Sequence, residues 1–202
     1  RENASIINVF SKNRGKVSGV VYGGNSRKIK NYLQISNKLY INHNVKNENR
    51  LGYFKTELVK PVSPLYFNDK ERSSALLSIS SILNMLLPDS QPNQNIYESF
   101  EEFLNSIKVD NWVILYVFLE LSLIKDLGYD PNLNQFKKNK SESDFQKIKI
   151  DSFTYNVPTY LIQNKIPDNL SKNLIKTSLY FTRSIIQNRF FLPNNLPFPK
   201  PR

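Results

Sequence analysis

The spacing of apolar residues changes period at "KPVSP", residues 60–64, and one kind of secondary structure cannot serve both sides of that change. Before it, "SIINVFS", "GKVSGVVYG", "KLYINHNV" and "LGYFKTELV" alternate apolar with polar residues, are rich in β-branched and aromatic side chains, and are separated by Gly, Asn and Lys. Such runs predict consecutive antiparallel strands, so the first 60 residues read as all-β. Pro61 and Pro64 suit an extended connection rather than a strand or helix interior. After the prolines the period becomes helical. Leu76, Ile79, Leu83, Leu86 and Leu87 mark a helix over 69–87 that Pro88 closes, and Phe100, Phe103 and Leu104 mark another over 96–107. Residues 111–127 are apolar on most faces and predict a central helix, with Gly128 where a helix C-terminus favours glycine. A last helix is expected over 170–191, through Leu174, Ile175, Ile185 and Ile186. Between these two, "FKKNKSESDFQKIKI" (136–150) reads as a polar loop or a poorly ordered insertion. The expected class is α+β with two domains, 1–62 all-β and 63–202 all-α.

Charge follows the same division. The formal net charge of +11 would mean little if it were spread evenly, because an A/T-rich coding bias inflates Lys along with Asn and Ile. It is not even. Residues 1–60 hold 12 Lys and Arg against 3 Asp and Glu, a net of +9, whereas residues 61–202 hold 16 against 14, a net of +2. A basic domain joined to a nearly neutral one is the electrostatic footprint of a polyanion binder, most often of nucleic acid. Within residues 9–34, Lys12, Arg14, Lys16, Arg27, Lys28 and Lys30 occur with no acid among them, although a solvated surface ordinarily mixes both signs. These six are the candidate DNA-binding residues.

A small basic β-domain ahead of a helical one suggests an OB-fold barrel, which binds single strands by combining a cationic groove with aromatic stacking. Tyr22, Tyr32, Tyr40, Tyr53 and Phe54 are available for stacking, although most aromatic residues of a small barrel belong to its core. Gly15, Gly19, Gly23 and Gly24 fit tight turns and bulges at barrel corners better than close approach to phosphate.

Other classes of function find little support. The absence of Cys excludes disulfides, thiolate metal sites and cysteine nucleophiles, and agrees with a reducing compartment. The longest apolar run, 112–124, is interrupted by Glu120 and is too short to span a bilayer, so no membrane anchor is expected. The chain begins at Arg1 with no signal pattern and reads as a fragment lacking its true start. His43 is the only histidine, and a lone histidine is ordinarily structural. Glu98, Glu101 and Glu102 share a helical face that reads as solvated rather than as paired catalytic acids. "YGGNSRK" lacks the frame of a phosphate-binding P-loop. The chain is expected not to be an enzyme. The competing reading is an RNA-binding OB module with a helical partner domain.

The order of the motifs resembles the RecO family of bacterial recombination mediators over nearly the whole chain. "ENASIINVFSKNRGKVSGVVYGGNSRK" is similar to that family's opening, "LLPDSQPNQNIYESFEEFL" to its Leu-Leu-Pro helix start, and "LELSLIKDLGYDPNLNQF" to its Leu-Gly-Tyr segment. "RFFLPNNLPFPKPR" resembles the ending of the alphaproteobacterial branch. Three departures stand out. "NQFKKNKSESDFQKIKI" occupies the place where relatives often carry four zinc-binding cysteines, so neither zinc nor any other cofactor is expected. The family's first strand normally precedes the stretch that matches Glu2, and a barrel without it would expose an edge. Val117 stands where relatives often carry Arg. The resemblance implies binding of single- and double-stranded DNA, annealing of complementary strands, and assistance to RecA in replacing single-strand-binding protein. It implies RecR and the acidic C-terminal tail of single-strand-binding protein as partners, the tail docking on the helical domain. It implies no membrane partner, and a bacterial cytoplasmic location on the nucleoid during repair.

Overall fold

The computed structural model describes residues 3–45, 51–137, 143–167 and 169–199, which form two compact units that divide after Asn105. The division lies beyond the prolines at 61 and 64, so the first unit holds two long helices that follow the strands, as well as the short one between them.

In the first unit, β1 (Ala4–Ser11) and β2 (Gly15–Tyr22) pair antiparallel from Ala4 opposite Tyr22 to Ser11 opposite Gly15. A short helix, α1 (Arg27–Lys30), precedes β3 (Lys38–Asn44) and β4 (Tyr53–Lys60), which form a second antiparallel pair with an irregularity at Lys38/Leu39. The strand order is β1-β2-β4-β3. The two hairpins meet where Val20 lies opposite Tyr53 in parallel, and the Val20 amide donates to the Gly52 carbonyl at 2.9 Å. The expectation of consecutive antiparallel strands is corrected at this join. The polar stretch between β2 and β3 is long enough to carry the chain across the sheet, so β4 rather than β3 neighbours β2. A four-residue helix also interrupts the basic segment that began as strand, because the Ser26 hydroxyl accepts from the Ile29 amide and caps the turn. Four strands in this order, with one parallel contact and a helix ahead of the second hairpin, correspond to four strands of a Greek-key OB barrel.

Alternation along the strands decides which residues enter the core. Val17, Val21 and Phe54 are buried, with Ile7, Val9, Ile29, Leu33 and Ile41 packed against them. Gly19 admits the Phe54 ring, since a Cβ there would stand 2.5 Å from it. Gly15, at φ +65°, opens β2 where a Cβ would lie 2.0 Å from the Gln91 carbonyl oxygen. Gly15→Ala therefore combines backbone strain with a backbone clash, and a loss of about 3 kcal/mol is expected, read as a lower urea midpoint.

After a 3₁₀ turn at Ser63–Tyr66 come α2 (Lys70–Leu86) and α3 (Gln94–Ser106). Asp69 caps α2, its carboxylate accepting from the Arg72 amide at 3.0 Å, and Ala75, Leu76, Ile79, Ile82 and Leu83 form its buried stripe.

The second unit is built around α4 (Trp112–Asp126). This helix has Val117, Leu123 and Ile124 fully buried, and it ends with Gly128 at φ +90° while the Tyr129 amide reaches back to the Ile124 carbonyl. The chain continues through a 3₁₀ turn at Leu133–Phe136 into β5 (Phe145–Ile150), β6 (Phe153–Pro158), α5 (Thr159–Gln163) and α6 (Lys172–Ile186). The expectation of an all-α second domain is corrected by the β5–β6 hairpin, which places Ile148, Ile150, Tyr155 and Val157 inward. Its signal was a single "IKI" alternation inside a lysine-rich stretch. The polar-loop expectation for 136–150 thus fails over Phe145–Ile150, and its centre, 138–142, lies outside the described residues.

Helix α6 is capped by Ser171, whose hydroxyl accepts from the Leu174 amide at 3.1 Å. It buries Leu174, Ser178, Phe181, Thr182, Ile185 and Ile186 on one face. Phe181 meets Tyr155 edge-on at 5.8 Å. The helix expected to run to 191 widens into a π turn over Gln187–Phe191, and the wider turn carries Phe191 inward to Phe198 at 4.8 Å.

Candidate nucleic-acid interface

The six cations singled out in the sequence fall into two groups of different character. Lys12, Arg14 and Lys16 lie in and beside the β1–β2 turn, and each is engaged. Lys12 donates to Glu98 at 2.9 Å. The Arg14 guanidinium lies 2.9 Å from Nδ1 of His43. Lys16 donates to the Asn84 carbonyl at 2.7 Å and pairs with Asp89 at 3.2 Å, its side chain only 16% exposed. Lys16 is an anchor between the sheet and the α2 end of its own unit rather than a free phosphate contact.

Arg27, Lys28 and Lys30 are different. They occupy three of the four positions of α1, while Ile29 turns inward onto the core cluster. All three are exposed, and among the described residues none is held by a salt bridge. The local cause is the pattern R-K-I-K on one helical turn, which directs a single side chain to the protein and the other three to solvent.

The acidic helix face also has a structural role. Glu98 binds Lys12 and accepts from Gln94 at 2.8 Å, while Glu101 pairs with Lys38 of β3. These contacts hold the Glu98 carboxyl below the usual range, through its hydrogen bond to Lys12 first, and raise both lysines through their hydrogen bonds to the glutamates. The pairs tie α3 to the strands and neutralise two cations of the basic first 60 residues. His43 stacks edge-on against Phe54 at 4.7 Å, and burial, aided by the Arg14 charge, lowers its pKa. It is thereby favoured as a neutral acceptor for Arg14.

The aromatic candidates divide in the same way. Phe54 is core, and the Tyr32 hydroxyl donates to the Thr56 carbonyl at 2.9 Å, so both are structural. Tyr22, Tyr40 and Tyr53 project from the opposite face of the sheet, where Tyr22 is 66% and Tyr40 61% exposed.

The second unit holds one group that composition could not rank. Glu120 of α4 is 3% exposed, and the Thr182 hydroxyl donates to it. Burial raises its pKa to about 7, against the opposing pull of Thr182, Tyr116 and the Arg183 charge. Its only sequence signal was a lone acid inside an apolar run. Val117 is fully buried in the same helix. Among the described residues there is no group of three or more His, Asp or Glu side chains able to hold a metal ion, and no helix is long and apolar enough to cross a membrane.

Comparison with known proteins adds the following. The family model described as recombination protein O C terminal matches residues 68–190. The DNA repair protein RecO of Wolbachia sp. subsp. Drosophila simulans (strain wRi) is 30% identical over 217 residues, covering 98% of this chain and 89% of its own. That of Wolbachia pipientis wMel is 29% identical with the same coverage of both chains. The RecO of Ehrlichia chaffeensis (strain ATCC CRL-10679 / Arkansas) is 30% identical over 145 residues, 71% of this chain and 59% of its own.

Proposed function

The chain belongs to the RecO family of DNA repair proteins, and from that premise we propose that it binds single- and double-stranded DNA without regard to sequence, anneals complementary strands, and helps RecA displace single-strand-binding protein. The observation that carries this reading is the exposed cationic turn Arg27, Lys28 and Lys30, held by no salt bridge among the described residues and set in the basic first 60 residues. Side chains that meet only phosphates position a strand and carry no sequence information, which suits a protein that must act wherever damage occurs. Lys12, Arg14 and Lys16 contribute to the field around the site and to its architecture, their direct partners being protein groups.

RecR and the acidic tail of single-strand-binding protein are its protein partners on this reading, and it acts in the bacterial cytoplasm. It acts without a metal or organic cofactor and performs no covalent chemistry. The lack of cysteine removes the thiolates that a family zinc site would need.

Fluorescence anisotropy of a labelled, unstructured single strand, repeated across a series of salt concentrations, tests the reading. Affinity that falls steeply with salt and is equal for different base sequences is the expected result, followed by accelerated annealing of complementary strands. A folded protein that binds no DNA at low salt would overturn it.

A further inference from the structure

We infer that Tyr22 and Tyr53 form a platform on which unpaired bases of a single strand stack, beside the α1 cations that hold its phosphates. The inference deepens the proposed DNA-binding function and rests on it. Across the parallel join, Val20 lies opposite Tyr53, and Tyr22 follows two residues later on the same face of β2. The two rings stand 5.8 Å apart and are tilted by 51°. Tyr22 lies opposite Ala4 and Val20 opposite Ile6, whose side chain is 69% exposed, so apolar surface continues beside the rings. The turn after Tyr22, closed by hydrogen bonds from the Gly24 amide to the Val21 carbonyl and from the Ser26 amide to the Gly23 carbonyl, leads directly into Arg27. Arg27 thus follows Tyr22 closely in the chain, and Ile29 of the same turn lies against Gly23, just past the end of β2.

Charge complementarity favours nucleic acid as the occupant. The cations of α1 suit a polyanion, and Lys55, in register with Asn42, adds another on the outward face of β4. Glu57 lies opposite Tyr40 at the far end, where a carboxylate repels phosphate, so the platform is the Tyr22–Tyr53 end rather than the whole tyrosine face. A duplex hides its base faces in its own stack, whereas a single strand presents them. Every base has a π face, so such a platform selects single strands and tolerates any sequence.

The test uses the full chain with a labelled oligothymidylate and an abasic strand of the same length, titrated at several salt concentrations. The abasic strand should bind at least about tenfold more weakly with the same salt slope, because stacking is lost and phosphate contacts are kept. Replacing both tyrosines, Tyr22→Leu with Tyr53→Leu, should remove the difference between the strands, and Tyr22→Phe with Tyr53→Phe should retain it. Equal binding of the two strands by the unaltered protein would overturn the platform and leave the DNA-binding reading standing. A difference that survives the leucine pair would also overturn it. No binding of either strand at low salt would overturn both.

Discussion

Replacing Arg27, Lys28 and Lys30 together with alanine should lower the magnitude of the salt slope for single-stranded DNA by about 2, and weaken all base sequences alike. Each phosphate contact on a single strand contributes roughly 0.7 to the slope of log affinity against log salt, and three contacts are removed. Over a fourfold change in salt that difference amounts to about 16-fold in relative affinity. The fold should be untouched, because all three side chains point to solvent and the core contact of the turn is Ile29, which remains. Circular dichroism and a urea midpoint equal to those of the parent check this. The matched experiment on Lys12, Arg14 and Lys16 should behave differently. Its slope change should be smaller and its midpoint lower, since these side chains are bound to Glu98, His43, Asn84 and Asp89. An unchanged slope in the α1 variant would place the phosphate contacts elsewhere.

Glu120→Gln should remove a stability loss of about 3 kcal/mol that the parent suffers between about pH 4.5 and pH 7. Burial raises the Glu120 carboxyl from its ordinary 4.5 to about 7. The folded state therefore holds a proton over that window which the unfolded state has released. Stability from this group is full below pH 4.5, declines as pH rises through the window, and is flat above about 7. A pKa that differs by one between the folded and unfolded states is worth about 1.4 kcal/mol, which gives the magnitude. Glutamine keeps an oxygen to accept from Thr182 and has no charge to bury, so the variant should be the more stable protein at pH 8 and match the parent closely near pH 4.5. Urea unfolding of both proteins at pH 5, 6.5 and 8 measures this. Parallel pH profiles would show that the carboxyl is ionised throughout and held by Arg183.

Much of the fold was legible because its determinants are local. The helices begin near where the change of period put them, Gly128 sits at a helix end, and the strand segments fall where alternation put them. The failures share a cause. The β5–β6 hairpin depends on a pairing partner, and each of its strands read alone offers two inward residues among lysines and polar groups. The parallel join of β2 with β4 is a choice between neighbours, which no window of sequence contains. The π turn after Ile186 brings Phe191 against Phe198, a contact that helical periodicity does not encode.

The candidate site was legible as a charge distribution and not as a set of contacts. From sequence, six cations and five aromatic residues were equivalent candidates. In the structure Lys12, Arg14 and Lys16 are taken up by protein partners, and Phe54 and Tyr32 by the core and by Thr56. Arg27, Lys28, Lys30, Tyr22 and Tyr53 remain turned to solvent or to one another.

By itself, the amino-acid sequence determined that this chain would be α+β, that four strands would precede its long helices, and that its basic charge would lie in its first 60 residues. Period, capping and charge are properties of neighbouring residues and survive without the fold. Only the tertiary structure decided which cations are free for a ligand and which carboxyl is forced towards its neutral form. Lys12 meets Glu98 across 86 positions of chain and Thr182 meets Glu120 across 62, and contacts of that range exist only once packing has brought distant segments together.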